Sequence, residues 1–204
     1  MDENKVNAPA AIWKRHDLPG HEACRIIQLG SGWQLAGVAV LAYERQPCRF
    51  DYLIDCDTHW LTRSAVVSGW VGQQIVDVNV VRDQGGEWRL NGRTVADVAG
   101  CTDIDLNFSP STNLLPIRRL NLTLGAVAAV RAAWLRFPSF ALEPLEQSYA
   151  QLKPGLYRYE SANGRFTAEI TVDEFGLVID YGNIWSRELG MSPSKGSRPA
   201  EPGD

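Results

Sequence analysis

The chain has no motif that marks a nucleophile or a nucleotide site. There is no Gly-x-Ser-x-Gly elbow, and Ser31 in Gly30-Ser31-Gly32 lacks the flanking pattern. Gly30-x-Gly32 runs into Trp33 rather than a helix, and neither G-x-G-x-x-G nor a Walker loop occurs, so no nucleotide cofactor is expected. Cys24, Cys48, Cys56 and Cys101 are scattered with no C-x-x-C spacing. That argues against a zinc site and for free thiols in or near a core. No apolar run near either end is long enough to span a bilayer. Met1-Asp2-Glu3-Asn4-Lys5 lacks the apolar stretch of a signal peptide, so a cytoplasmic location is expected. Basic excess is also missing. Lys and Arg number 20 against 24 Asp and Glu, for a net charge of −4, so nucleic acid is not an expected partner.

What is present suits one β-rich domain. The 204 residues are 45% apolar, ample for a core. No linker-like composition interrupts residues 11 to 189, and a single domain over 8–189 is expected. Residues 1–7 are polar and read as a loose N-terminus. Residues 190–204, GMSPSKGSRPAEPGD, hold too little apolar surface to offset their ordering entropy and read as a disordered tail. Gly85-Gly86, Asn91-Gly92 and Asn163-Gly164 are hairpin-type turn pairs. Short alternating runs lie between them. Ile75 to Val81 puts Val76, Val78 and Val80 on one face, and Phe166, Ala168, Ile170 and Val172 share another. Gly176 turns the chain into Leu177 to Tyr181. Turns about every 8 to 12 residues suit a barrel, roll or sandwich.

Two segments are ambiguous. Ala126 to Phe137 is alanine-rich, which favours helix, yet Val130, Ala132 and Trp134 alternate with Arg131, Ala133 and Leu135. Ser111 to Leu120 suits a short helix, with Ser109 or Ser111 as a cap and Leu114, Ile117 and Leu120 on one face. Pro116 fits only its first turn or a kink.

The stretch from Cys101 to Leu120 carries the most chemistry. Thr102, Ile104, Leu106 and Phe108 alternate with Cys101, Asp103, Asp105 and Asn107. Arg118 or Arg119 could fold back on Asp103 or Asp105, because an arginine fork grips a carboxylate in two parallel hydrogen bonds. The same fork would hold a phosphate or a sugar hydroxyl. Asp55, Asp57 and His59 would share a strand face, a set able to bind a metal or act in acid–base catalysis, but the expected reading is a solvated turn leading to Trp60. His16 and His21 flank Pro19-Gly20 and read as loop residues. Seven tryptophans are many for this length; aromatic faces pack sugar rings and acyl chains, and they also fill cores.

The string from Asp103 through Leu120 resembles the hallmark of the bacterial family described as "putative glycolipid-binding": Asp-x-Asp-Leu, Ser-Pro-x-Thr-Asn, then Leu-Pro-Ile-Arg-Arg-Leu. Ile54-Asp55-Cys56-Asp57 with Trp60, Gly86-Glu87-Trp88, Ala133 to Pro138, and Asp173 to Val178 fit the same pattern, over about residues 11 to 189. The resemblance implies a mainly β fold, a many-stranded antiparallel sheet rolled around a single α-helix (a spiral β-roll). It also implies a homodimer and a weak likeness to lipoprotein localisation factors. Fold likeness alone does not fix function. Three readings follow. In the first, a non-enzymatic lipid or glycolipid binder holds acyl chains in an apolar cavity. Its expected ligand-binding residues are Asp103, Asp105, Asn113, Arg118, Arg119, Trp60, Trp88 and Trp134, with no catalytic residue, metal or cofactor. The second is a structural or partner-binding homodimer without ligand. The third is a hydrolase using Asp103 and Asp105 with Arg118 or Arg119.

Overall fold

Backbone pairing begins with eight short-linked strands: β1 (Ala10–Arg15), β2 (Gly20–Leu29), β3 (Gly32–Tyr43), β4 (Gln46–Cys56), β5 (Thr62–Val71), β6 (Gln74–Arg82), β7 (Trp88–Leu90) and β8 (Arg93–Thr94). Each pairs antiparallel with the next. After β9 (Asp103–Leu106) and a helical segment come β10 (Val127–Arg136), β11 (Ala141–Lys153), β12 (Leu156–Ser161), β13 (Phe166–Val172), β14 (Val178–Tyr181) and β15 (Trp185–Met191). β15 returns to pair with β1, joining both halves into one 15-stranded sheet with β8 and β9 at its two ends. The computed structural model describes residues 8–191. The expected loose N-terminus and residues 192–204 of the expected tail lie outside the described residues. β15 runs on to Met191, past the expected boundary at 189.

The alternation read from the sequence becomes the two faces of this sheet. On β6, Val76, Val78 and Val80 are buried while Ile75 stands outward. On β4, Phe50, Tyr52 and Ile54 point in and Asp51 and Leu53 out. Asn91 and Gly92 both take positive φ, 49° and 78°, as a two-residue hairpin turn requires. The alanine-rich segment is strand β10, not helix. It is laddered to β11 over its whole length and to β9 as well, and packing plus a satisfied ladder override alanine's propensity. The sheet departs from all-antiparallel at one place, because β9 and β10 run parallel. The long connection between them makes that possible, since parallel neighbours need a crossover.

That crossover carries the helix. A 3-10 turn over Ser111–Asn113 leads into α1 (Leu114–Leu120). Leu114, Leu115, Pro116 and Ile117 are all buried, so the first turn is covered on every side. No side chain caps α1; Ser109 instead accepts the N–H of Ser111, at 3.1 Å. Asn121 in the left-handed conformation ends the helix, with its N–H on the Ile117 carbonyl. A seven-residue helix is too short to persist alone. The sheet holds it: Ser111 meets Tyr52 of β4, Arg119 meets Asp103 of β9, and Leu114 lies under the β13–β14 turn at Gly176. The sheet therefore rolls around the helix without closing into a barrel. No helix among the described residues is long and apolar enough to cross a membrane.

Candidate functional site

β9 is buried on both faces, and its two carboxylates meet different fates. Asp103 is closed off: it is 1% exposed and gripped by the Arg119 fork at 3.0 and 2.5 Å, with the Thr102 hydroxyl donating at 2.9 Å. Two residues on, Asp105 points into a cavity of about 400 Å³. The β1–β2, β12–β13 and β14–β15 turns surround this cavity through Asp17, Ala162 and Ile184.

Polar groups converge on the helix side. One Asp105 oxygen accepts from the Gln147 amide at 2.7 Å, and burial pushes its pKa up to about 6. Asn113 accepts from the Tyr149 phenol at 3.0 Å and donates to the Pro110 carbonyl at 3.2 Å, leaving one amide hydrogen. Ser109 completes this side. The opposite side is aromatic. Trp134 of β10 stands beside Asp105 in register, and Tyr159, Phe166, Tyr181 and Trp185 follow on β12 to β15. Tyr159 meets Tyr181 edge-on at 5.8 Å and Phe166 at 5.9 Å, so the rings brace one another. Arg15 enters from β1, 5.3 Å over the Trp185 ring and forked to Asp17 at 2.7 and 2.9 Å.

Behind Ser109 lies a buried acid. Glu22 on β2 is 1% exposed, and one of its oxygens accepts from Tyr52 at 2.6 Å and Ser109 at 2.7 Å. Ser111 hydrogen-bonds with both donors. The other Glu22 oxygen is buried and has no hydrogen-bond partner among the described residues. Desolvation dominates over these hydrogen bonds and raises the Glu22 pKa to about 8, so it holds its proton at neutral pH. Gly37 makes room for this cluster. A Cβ there would sit 2.3 Å from the Tyr52 hydroxyl, its cross-strand neighbour.

The expected site residues thus divide into three groups and one separate core residue. Asp105, Asn113 and Trp134 line the cavity together. Asp103 and Arg119 form the closed ion pair beside it. Trp60 lies in the β4–β5 turn and Arg118 reaches it from α1, its guanidinium 5.4 Å over Trp60 and 5.0 Å over Phe175 of the β13–β14 turn. Trp33 stacks on Trp60 at 4.6 Å in the same cluster. The Arg118 Nε is buried without a hydrogen bond among the described residues, and desolvation lowers the side chain's pKa. Trp88 is a core residue, 1% exposed, donating to the Cys101 carbonyl at 3.0 Å. Asp57 caps its turn by accepting from His59 and Leu61. Asp55 bonds Gln34 and Ser64. Among the described residues, no group of three His, Cys, Asp or Glu is placed to hold a metal ion. His21 lies on β2 rather than in a loop.

Sequence reasoning missed Glu22, Arg15 and the tyrosines. One signal was available for Glu22: with Cys24 and Ile26 it shares an otherwise apolar strand face. A carboxyl in such a row is either paired or neutral.

The model of the family described as "Putative glycolipid-binding" matches residues 10–187. A crystal structure of a DUF1089 family protein from Pseudomonas aeruginosa is similar, with 33% identity and a TM-score of 0.75, covering 82% of this chain and 91% of that one. A β-barrel-like protein of the domain of unknown function DUF1849 from Brucella abortus shares the fold at 10% identity and a TM-score of 0.52, covering 91% and 95% of the two chains. No curated protein matches.

Proposed function

The chain belongs to the family described as putative glycolipid-binding, and from that premise we propose that the cavity binds the sugar head of a glycolipid without transforming it. One observation carries the reading. A desolvated carboxyl, a primary amide and a hydroxyl face a wall of aromatic rings across about 400 Å³. Aromatic faces pack against the C–H faces of a pyranose, while a few fixed polar groups select its hydroxyls. The hydrolase reading needs two carboxylates in one cleft, and of its pair only Asp105 lines this one. A homodimer and a cytoplasmic location belong to the same proposal; sedimentation velocity and fractionation of the host cell test them.

The main test is titration of the intact protein with soluble alkyl glycosides of differing sugars, read by tryptophan fluorescence. Saturable quenching from Trp134 and Trp185 is expected. Affinity tightens as pH rises through about 6, because ionised Asp105 accepts from a sugar hydroxyl more strongly than the acid does. Asp105→Asn loses about tenfold in affinity and the pH dependence with it. Titrations that never saturate for any sugar, or an Asp105→Asn protein that binds like wild type, overturn the reading. Recovery of the glycoside unchanged after incubation separates binding from hydrolysis.

A further inference from the structure

Strand register places a second feature on the outer face of the sheet. Leu189, Ile12, Ala23 and Val38 are cross-strand partners in one outward row over β15, β1, β2 and β3. Two residues along each strand, Ala10, Arg25 and Ala36 make the next outward row, and Leu53 of β4 continues it. Rows on one face stand roughly 7 Å apart. The inward-pointing residues Ala11, Cys24 and Gly37 form the floor between them. Because three wall positions are alanines, the space stays open as an apolar groove of about 500 Å³. Ile12 and Leu189 are 38% and 60% exposed, so the walls present methyl groups to water.

We propose that this groove binds the hydrocarbon chain of a fatty acid, with Arg25 gripping its carboxylate. The groove runs between two parallel side-chain rows, which suits an unbranched chain. Its floor and walls offer no side-chain hydroxyl or amide for a sugar. Arg25 is the one charged side chain in the lining, and it is exposed. Several outward arginines hold carboxylates: Arg49 pairs Asp51, Arg89 pairs Glu87 and Arg158 pairs Glu160. Arg25 is in no ion pair among the described residues, on a chain of net charge −4. A lone cation beside an apolar trough complements a carboxylate that ends an apolar chain, and a guanidinium fork takes that carboxylate bidentately. This site stands apart from the cavity and does not depend on it.

The test displaces a dansyl-labelled fatty acid from the full chain with palmitic acid and with its methyl ester. Wild type binds the acid at least about tenfold more tightly than the ester. Arg25→Gln removes that preference while retaining weak binding of both. Ala36→Phe and Ala23→Leu fill the groove from outward positions that leave the core untouched, and each abolishes binding while keeping the thermal midpoint of wild type. Alkyl glycoside titrations of the same variants are unchanged, and Asp105→Asn keeps its fatty-acid affinity, so failure of one site is read separately from failure of the other. Fatty-acid binding that survives both filling variants overturns the proposal. So does absence of binding in wild type, including the case where Ala36→Phe turns a dimer into a monomer and identifies the face as an interface between copies.

Discussion

Two clusters in this roll are built from the same residue types and do different work. At the β4–β5 and β13–β14 turns, Trp33, Trp60 and Phe175 stack on one another and on Arg118. At the β12–β13 and β14–β15 turns, Trp134, Tyr159, Tyr181 and Trp185 stand around about 400 Å³ of space, and Asp105 has Gln147 as its hydrogen-bond partner. Rings that fill each other's volume are packing. Rings that leave volume beside an under-satisfied carboxyl are a place for a ligand. The Asp103–Arg119 pair shows the same division along a single strand, because it is closed two residues from the open Asp105.

The largest expected effect comes from breaking the closed side. Arg119→Leu strands the Asp103 carboxylate and is expected to cost about 3–5 kcal/mol in urea denaturation. Replacing both partners by leucine recovers much of that loss, and sugar affinity stays unchanged in either protein that folds. A loss below about 1 kcal/mol would mean the pair is no more than a surface contact.

Glu22 comes next, through pH. Its pKa is raised from 4.5 to about 8, so the folded state binds a proton that the unfolded state releases between those values. Its contribution to stability is therefore full below about pH 4.5 and is lost as pH rises to about 8. Arg15 lowers the Glu22 pKa only in part, and the neighbouring Cys24 thiol, at about 12, does not titrate in this window. Glu22→Gln should raise stability at pH 7 by an amount on the order of 3 kcal/mol and leave it nearly unchanged at pH 4, measured by denaturation at both values. Equal effects at both pH values would show that Glu22 is ionised in the fold.

Gly37→Ala is a steric probe of the same cluster. The added Cβ would overlap the Tyr52 ring and push its hydroxyl off Glu22. A loss of about 1–3 kcal/mol is expected, together with a changed tyrosine signal in near-ultraviolet circular dichroism. The smallest stability effect belongs to the open side. Trp134→Ala should cost below about 1 kcal/mol, since the ring is only partly buried, yet reduce sugar affinity about tenfold. A large stability loss there would erase the contrast between the two ends.

Much of the fold was legible because β-sheet physics is written locally. The Val76, Val78, Val80 alternation and the Asn91-Gly92 turn appear in the structure as read. The alanine-rich β10 was not settled by propensity, because its preference for strand comes from partners on both sides, β9 and β11. The parallel β9–β10 pairing is likewise invisible in either segment alone. Of the expected site residues, Asp105, Asn113 and Trp134 meet in the cavity, while Trp60 and Arg118 meet each other elsewhere and Trp88 is core. Tryptophan and arginine look alike in sequence whether they fill a gap or border one.

By itself the sequence determined a mainly β chain with alternating faces, its turns, and a short helix with paired arginines in its last turn. Those features depend on φ preferences and on neighbours two to four residues away. Tertiary structure decided which carboxylate is neutralised and which is left facing space. It also decided that Glu22 is buried with one oxygen unpartnered among the described residues, and that three alanines from three strands border one groove. Solvation and partner distance are properties of where strands far apart in the chain come to lie, and no local pattern encodes them.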